Sequence, residues 1–322
     1  MSRLTGEWAP NSALESAELW ELPDGRGPED IAFDAQGHLY TGLTDGRVVR
    51  FEASGHYAGV LASLEEGGRP LGLAIVDDAL IVCDSGLGRL LRVELGSGRV
   101  DVLAAEFNGR RLGFVNNPAV GSDGAIYFSE SSTRFRQPDW RRALAAHQED
   151  ASVYAYDPQS GHLTQLTTGL VFANGVEIAP DGSCLVVAET VRRRLWKLWL
   201  QGSRAGSREL LVDDLPAYPD NVSGGAGGRF WVGLPSLRVA MLEAINRWPT
   251  LRPAAARTAN AVPVPERHYG LVAAFDVNGQ LMKQLHDPTG RVWFLTSARE
   301  HQGWLYLGSL QMNALTRVRL PE

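Results

Sequence analysis

Four side chains able to hold a hard cation stand at one fixed offset from a turn. Counting eight residues back from Gly37, Gly124, Gly182 and Gly228 reaches Glu29, Asn116, Asn174 and Asp220, and Asn221 follows the last directly. All five carry oxygen donors, and no histidine or cysteine is among them. Strand starts seldom collect such residues, which favour turns. Two carboxylates balance one divalent cation, and the amide oxygens add neutral ligands. Hard oxygen donors select Ca2+ or Mg2+, and calcium fits better because it accepts six to eight loosely arranged ligands. The competing reading is a set of polar side chains bonded to one another across a water-filled channel. Two facing carboxylates would then repel, and one would have to take up a proton.

An internal repeat must position these residues. The same count from Gly303 reaches Leu295, and the turn at Asp78-Ala79 points back to Leu71. The six anchors, at 29, 71, 116, 174, 220 and 295, are 42, 45, 58, 46 and 75 residues apart. A four-stranded blade needs about 40–50 residues. Short strand patterns such as Ile31–Asp34, His38–Leu43 and Arg47–Phe51 alternate with turn pairs throughout. These features predict an all-β, six-bladed β-propeller with a metal-binding central channel. The segment Ala17–Leu22 supplies the missing outer strand of the last blade and closes the ring. The long gaps are insertions at 131–150 and 236–268, with a short helix after Pro138 and another over Val239–Trp248, followed by an Ala/Pro-rich stretch. Loops of that length commonly cover a site.

Composition narrows the class. The chain has 322 residues, of which 35 are glycine, and a net charge of −6 without long charged blocks. Nothing there calls for a nucleic acid or an anionic membrane surface. Met1–Ser12 lacks the apolar core of a secretory signal, and no apolar run is long enough to span a bilayer. Cys83 and Cys184 are too few for a disulfide framework. The expectation is a single cytoplasmic domain over 1–322, with no nucleic-acid or membrane partner. Its oligomeric state is not legible.

Several motifs together resemble the strictosidine synthase-like family. They are Gly27-Pro-Glu-Asp30, Gly68-Arg-Pro-Leu-Gly-Leu73, Phe114-Val-Asn-Asn117 with Ile126-Tyr-Phe-Ser-Glu-Ser-Ser132, Phe172-Ala-Asn-Gly-Val176, and Tyr218-Pro-Asp-Asn221 with Phe230-Trp-Val232. The wider superfamily of paraoxonases and gluconolactonases consists of six-bladed propellers with a central calcium. The resemblance implies that Glu29, Asn116, Asn174, Asp220 and Asn221 are metal ligands, the residues already selected by the repeat. Asp30 and Asn117 resemble positions used by paraoxonases for a second, structural calcium, although an amide replaces the acid at 117. Strictosidine synthase itself uses a glutamate where this chain has Thr296, so a Pictet–Spengler condensation is not expected. Leu71 stands where paraoxonases place a catalytic histidine.

The chemistry expected is calcium-dependent hydrolysis of a small lactone or ester, with the metal as Lewis acid. Similarity to gluconolactonases implies that Asp220 activates water, and His268 is a second candidate base. Arg69, Leu71 and Tyr218 adjoin the channel positions as substrate-binding candidates. The alternative is a non-hydrolytic propeller, either a protein-interaction scaffold or a condensing or isomerising enzyme using the same channel.

Overall fold

The computed structural model describes residues 4–262 and 267–320. Six antiparallel four-stranded sheets follow one another along the chain as the blades of a β-propeller. Blade one is Ile31–Phe33, Leu39–Gly42, Arg47–Phe51 and Tyr57–Ser63, in that spatial order. Blades two, three and four begin at Pro70–Val76, Val115–Val120 and Ala173–Ile178, and blade five at Val222–Gly224. Blade six takes Leu295–His301, Trp304–Ser309 and Ala314–Arg319 from one end of the chain. Its fourth strand is Glu18–Glu21, which pairs antiparallel with Ala314–Arg319 in the register Glu18↔Arg317 to Glu21↔Ala314.

The turn glycines that served as a ruler do what their position requires. Gly37 and Gly124 lie at φ +84° and +83°, where a side chain is strained. In the glycine-free turn of blade two, Asp77 takes the left-handed conformation instead, at φ +49°, as short polar residues can.

Each blade is buried on both faces, so its strands read as near-continuous apolar runs rather than as alternation. Ala79–Asp84 and Cys184–Glu189 are buried at every position. The apolar side chains collect between neighbouring blades. One cluster joins blades four and five through Val186, Leu195, Phe230 and Phe275. Another joins blades six and one through Leu315, Tyr306, Ile31 and Leu39.

Both insertions occupy the same connection, between the second and third strands of their blades, and so emerge on one side. The first carries helix α1 (Trp140–Ala146), and the second carries α2 (Ala240–Arg247) and α3 (Arg252–Thr258). The Ala/Pro-rich stretch is therefore partly helical, because Pro253 lies in the first turn of α3, where its missing N–H costs nothing. The two insertions meet. Arg142 Nε donates to Ala256 O at 3.3 Å, Asn260 Nδ2 donates to Asp139 Oδ1 at 2.7 Å, and His147 Nδ1 lies 2.9 Å from Asn246 Oδ1. Residues 263–266 of the second insertion lie outside the described residues.

Candidate metal centre

Residues at or just before the start of the first strand in five blades line one cavity of about 420 Å³. Glu29, Leu71, Asn116, Asn174 and Asp220 contribute to its wall, one from each of blades one to five. Around them Phe114, Trp140, Leu144, Phe172, Ile245 and Trp293 form an apolar wall, with α1, α2 and α3 as a cover. A second concavity, about 630 Å³, lies on the outer strands of blade three and contains none of these donors.

The amides of the cluster share one arrangement. Asn116 Nδ2 donates to Ser131 Oγ at 2.8 Å, and Asn174 Nδ2 donates to Thr190 Oγ1 at 3.3 Å. Asn221 Nδ2 donates to Glu29 Oε1 at 3.0 Å. In each case the nitrogen is held and the oxygen is left over. Asn116 Oδ1, Asn174 Oδ1, Asn221 Oδ1 and Glu29 Oε2 are all buried without a hydrogen-bond partner. One orphaned oxygen costs about 1–3 kcal/mol, so these four acceptors suit a positive partner that would take up their lone pairs. Burial raises the Glu29 carboxyl well above its ordinary range, with the Asp220 and Asp30 charges adding to the shift. Burial is also the main cause raising Asp220. Among the described residues no group of three or more His, Cys, Asp and Glu comes together as a metal site, so a cation must draw on these amides. The donor set fits a hard divalent ion, with Glu29, Asn116, Asn174, Asp220 and Asn221 as the residues that would hold it.

Hydroxyls from one blade fix the ligand strands of the next. Ser131 Oγ donates to Ala173 O at 2.6 Å, Thr190 Oγ1 to Pro219 O at 2.7 Å, and Thr296 Oγ1 to Glu29 O at 2.7 Å. Close contact does the rest: a Cβ on Gly175 would lie 2.2 Å from Val222 N. Ser131 and Thr190 were not singled out from the sequence. Their signal was available, since they follow Asn116 and Asn174 by 15 and 16 residues, an equivalent place in consecutive blades.

The remaining candidates divide. Leu71 and Tyr218 line the cavity. The Tyr218 hydroxyl donates to Glu243 Oε1 at 2.8 Å, and Arg193 Nη1 reaches the same oxygen at 2.8 Å, which ties α2 to blade four. Arg69 is buried outside the cavity wall, with its guanidinium donating to Pro70 O at 2.7 Å and Gly27 O at 2.9 Å. It braces the loop before Glu29 instead of facing a ligand. His268 is exposed and stacks on Trp293 at 3.9 Å, and it is not one of the residues lining the cavity. Asp30 and Asn117 are buried and bonded to one another.

Sequence comparison agrees with this architecture. The profile described as strictosidine synthase-like, N-terminal matches residues 6–51, and that of strictosidine synthase matches 116–203. The adipocyte plasma membrane-associated protein of Salmo salar is 31% identical over 343 residues, covering 99% of this chain and 82% of that one. The chain belongs to the strictosidine synthase-like family. Among solved structures, this strictosidine synthase-like propeller is similar to a gluconolactonase from Xanthomonas campestris (TM-score 0.69, 20% identity, 96% of this chain and 92% of that one). It is also similar to the calcium-binding protein regucalcin from Agrobacterium tumefaciens (TM-score 0.61, 16% identity, 92% and 93%). At those identities the likeness concerns the fold. No helix among the described residues is long and apolar enough to cross a membrane.

Proposed function

We propose that this protein hydrolyses small lactones or esters with an apolar body, using one calcium ion held by Glu29, Asn116, Asn174, Asp220 and Asn221. One observation carries the reading: Glu29, Asn116 and Asn174, each with a buried, partnerless oxygen, line one end of an apolar cavity, and Asn221, bonded to Glu29, carries a fourth such oxygen. When bound, the ion supplies a Lewis acid for the substrate carbonyl. Asp220, half-buried in the cavity wall, is the carboxylate we assign to accept the proton of the attacking water. Asn221 keeps Glu29 oriented through the bond to Oε1. Leu71, Phe114, Phe172 and Trp293 contact the apolar part of the substrate and exclude bulk water. The likeness of the fold to a gluconolactonase and to a calcium-binding protein supports this reading. At the position where a condensing glutamate would stand, Thr296 instead donates to Glu29 O, which disfavours a condensing enzyme.

The test is a panel of lactones and aryl esters assayed with added Ca2+ and with chelator, beside metal analysis of the purified protein. Turnover that depends on calcium and is lost in Asp220→Asn is the expected result. Protein that binds no divalent ion and cleaves no member of the panel would overturn the proposal in favour of a scaffold or a non-hydrolytic enzyme.

A further inference from the structure

One residue beyond Glu29 and Asn116, a second buried polar group has a different kind of partner. Asp30 is 1% exposed. Its Oδ2 accepts from Leu73 N at 2.9 Å and from Asn117 Nδ2 at 3.1 Å. Asn117 Oδ1 accepts from Val176 N at 3.0 Å. A backbone N–H can only donate and a carboxylate here accepts, so the amide orientation is fixed by its neighbours. Asn117 therefore turns its donor toward Asp30, and its oxygen is already occupied. A calcium beside Asp30 would find an N–H group where the resemblance implies a ligand.

A positive group is present nonetheless. Arg299, on the first strand of blade six, reaches Asp30 Oδ1 with Nη2 at 3.8 Å. Its Nε is buried without a partner, and its side chain is 23% exposed. Glu177 of blade four stands in the same field. Its Oε2 accepts from Gly224 N at 2.9 Å and its Oε1 from Ile178 N at 3.0 Å. Burial raises both the Asp30 and Glu177 carboxyls, and for each the Arg299 charge is the foremost opposing influence.

We propose that Arg299 is a tethered cation that stands in for a second divalent ion beside Asp30, so that the chain binds one such ion and not two. A guanidinium suits that place because it stays charged at any physiological pH and is more weakly hydrated than an ammonium. Being covalently attached, it stays with Asp30 when chelator strips the solution of metal. The Asp30–Asn117 pair is thus a brace between blades one and three, completed by a charge from blade six. This inference is independent of whether the cavity hydrolyses anything.

Calcium bound per chain, measured by equilibrium dialysis, and melting temperature in chelator together test it. Wild type takes up one equivalent, and Glu29→Gln takes up none at the same free calcium. Arg299→Met lowers the melting temperature in chelator by several degrees, because it leaves the buried Asp30 carboxyl without its counter-charge, while Arg299→Lys retains most of it. Two equivalents in wild type, one surviving in Glu29→Gln, or an unchanged melt for Arg299→Met overturns the assignment. If Arg299→Met does not fold, near-wild-type melting of Arg299→Lys and the count in Glu29→Gln still decide it. If wild type binds no calcium but Arg299→Met still melts lower, the tethered cation stands and the calcium reading of the cavity falls.

Discussion

Replacing Asn174 with leucine separates a cation ligand from an ordinary buried amide. Asn174 Oδ1 is buried without a partner, and Nδ2 makes a long 3.3 Å bond to Thr190 and helps hold the Asp220 carboxyl down. Leucine has nearly the same shape. It removes an orphaned acceptor that costs about 1–3 kcal/mol and gives up a hydrogen bond of about 0.5–1.5 kcal/mol. Without metal, the variant should be as stable as wild type or up to ~2 kcal/mol more stable. At ~2.1 cal/mol/K per residue, a chain of 322 residues has an unfolding entropy near ~0.7 kcal/mol/K, so each kcal/mol moves the melt by roughly 1.5 °C. In chelator, Asn174→Leu should therefore melt between level with wild type and about 3 °C above it. At calcium one hundred times Kd, wild type gains about 2.7 kcal/mol, or ~4 °C, and the variant should gain less than half of that. Differential scanning calorimetry in EDTA and across a calcium series reads both numbers. A variant that melts well below wild type in chelator, or that keeps the full calcium shift, would refute the idea that this oxygen waits for a cation.

Asp220→Asn should fold normally and still bind calcium more weakly, while the hydrolytic rate falls by about 10²–10⁴, the usual contribution of a positioned base; a loss under threefold assigns the base elsewhere. Tyr218→Phe breaks one of the two bonds holding Glu243, so hydrogen exchange of Ala240–Arg247 should accelerate while blade four is unchanged. Gly308→Ala would bring a Cβ to 2.5 Å from Glu29 O, so both the melting temperature and calcium affinity should fall, a pairing that a remote core substitution would not produce. Burial holds the fully buried His286 down to about 4, below its ordinary 6.5, with Tyr269 Oη 2.7 Å from Nδ1. The unfolded chain then binds the extra proton first, so His286 contributes a loss of stability as pH falls from about 6.5 toward 4 and none above 7. Melts of wild type and His286→Gln across that range should converge at low pH, and parallel curves would dismiss the effect.

The repeat was legible because it is written in backbone constraints. Left-handed turns demand Gly37 or Gly124, and a blade buried on two faces demands runs such as Leu80–Cys83. The same ruler picked out the candidate donors, since equivalent strand starts line one cavity. What escaped were relations between blades that no periodicity records. Arg299 sits three residues before the turn at Gln302–Gly303, off the eight-residue ruler, and only the packing of blade six beside blade one brings it to Asp30. Arg69 looked like a substrate residue from its neighbours in sequence, yet two carbonyls occupy its guanidinium. The helical cover was half visible: α2 has helical spacing, whereas α3 is hidden by a proline that is harmless in the first turn of a helix.

The pairing of Glu18–Glu21 with Ala314–Arg319 has a consequence for synthesis. Glu18 and the Arg317 that meets it are 299 residues apart. At about 5–20 residues per second, roughly 15–60 s pass between the emergence of the first strand and that of its partner. Throughout that interval Glu-Leu-Trp-Glu is an unmatched edge beside its own growing chain and every other ribosome's product. Acids at both ends of the segment discourage other edges from adding to it. One of them, Glu18, later receives Arg317 at 2.8 Å, so the charge that keeps the strand solitary early on also recognises the right partner when it arrives.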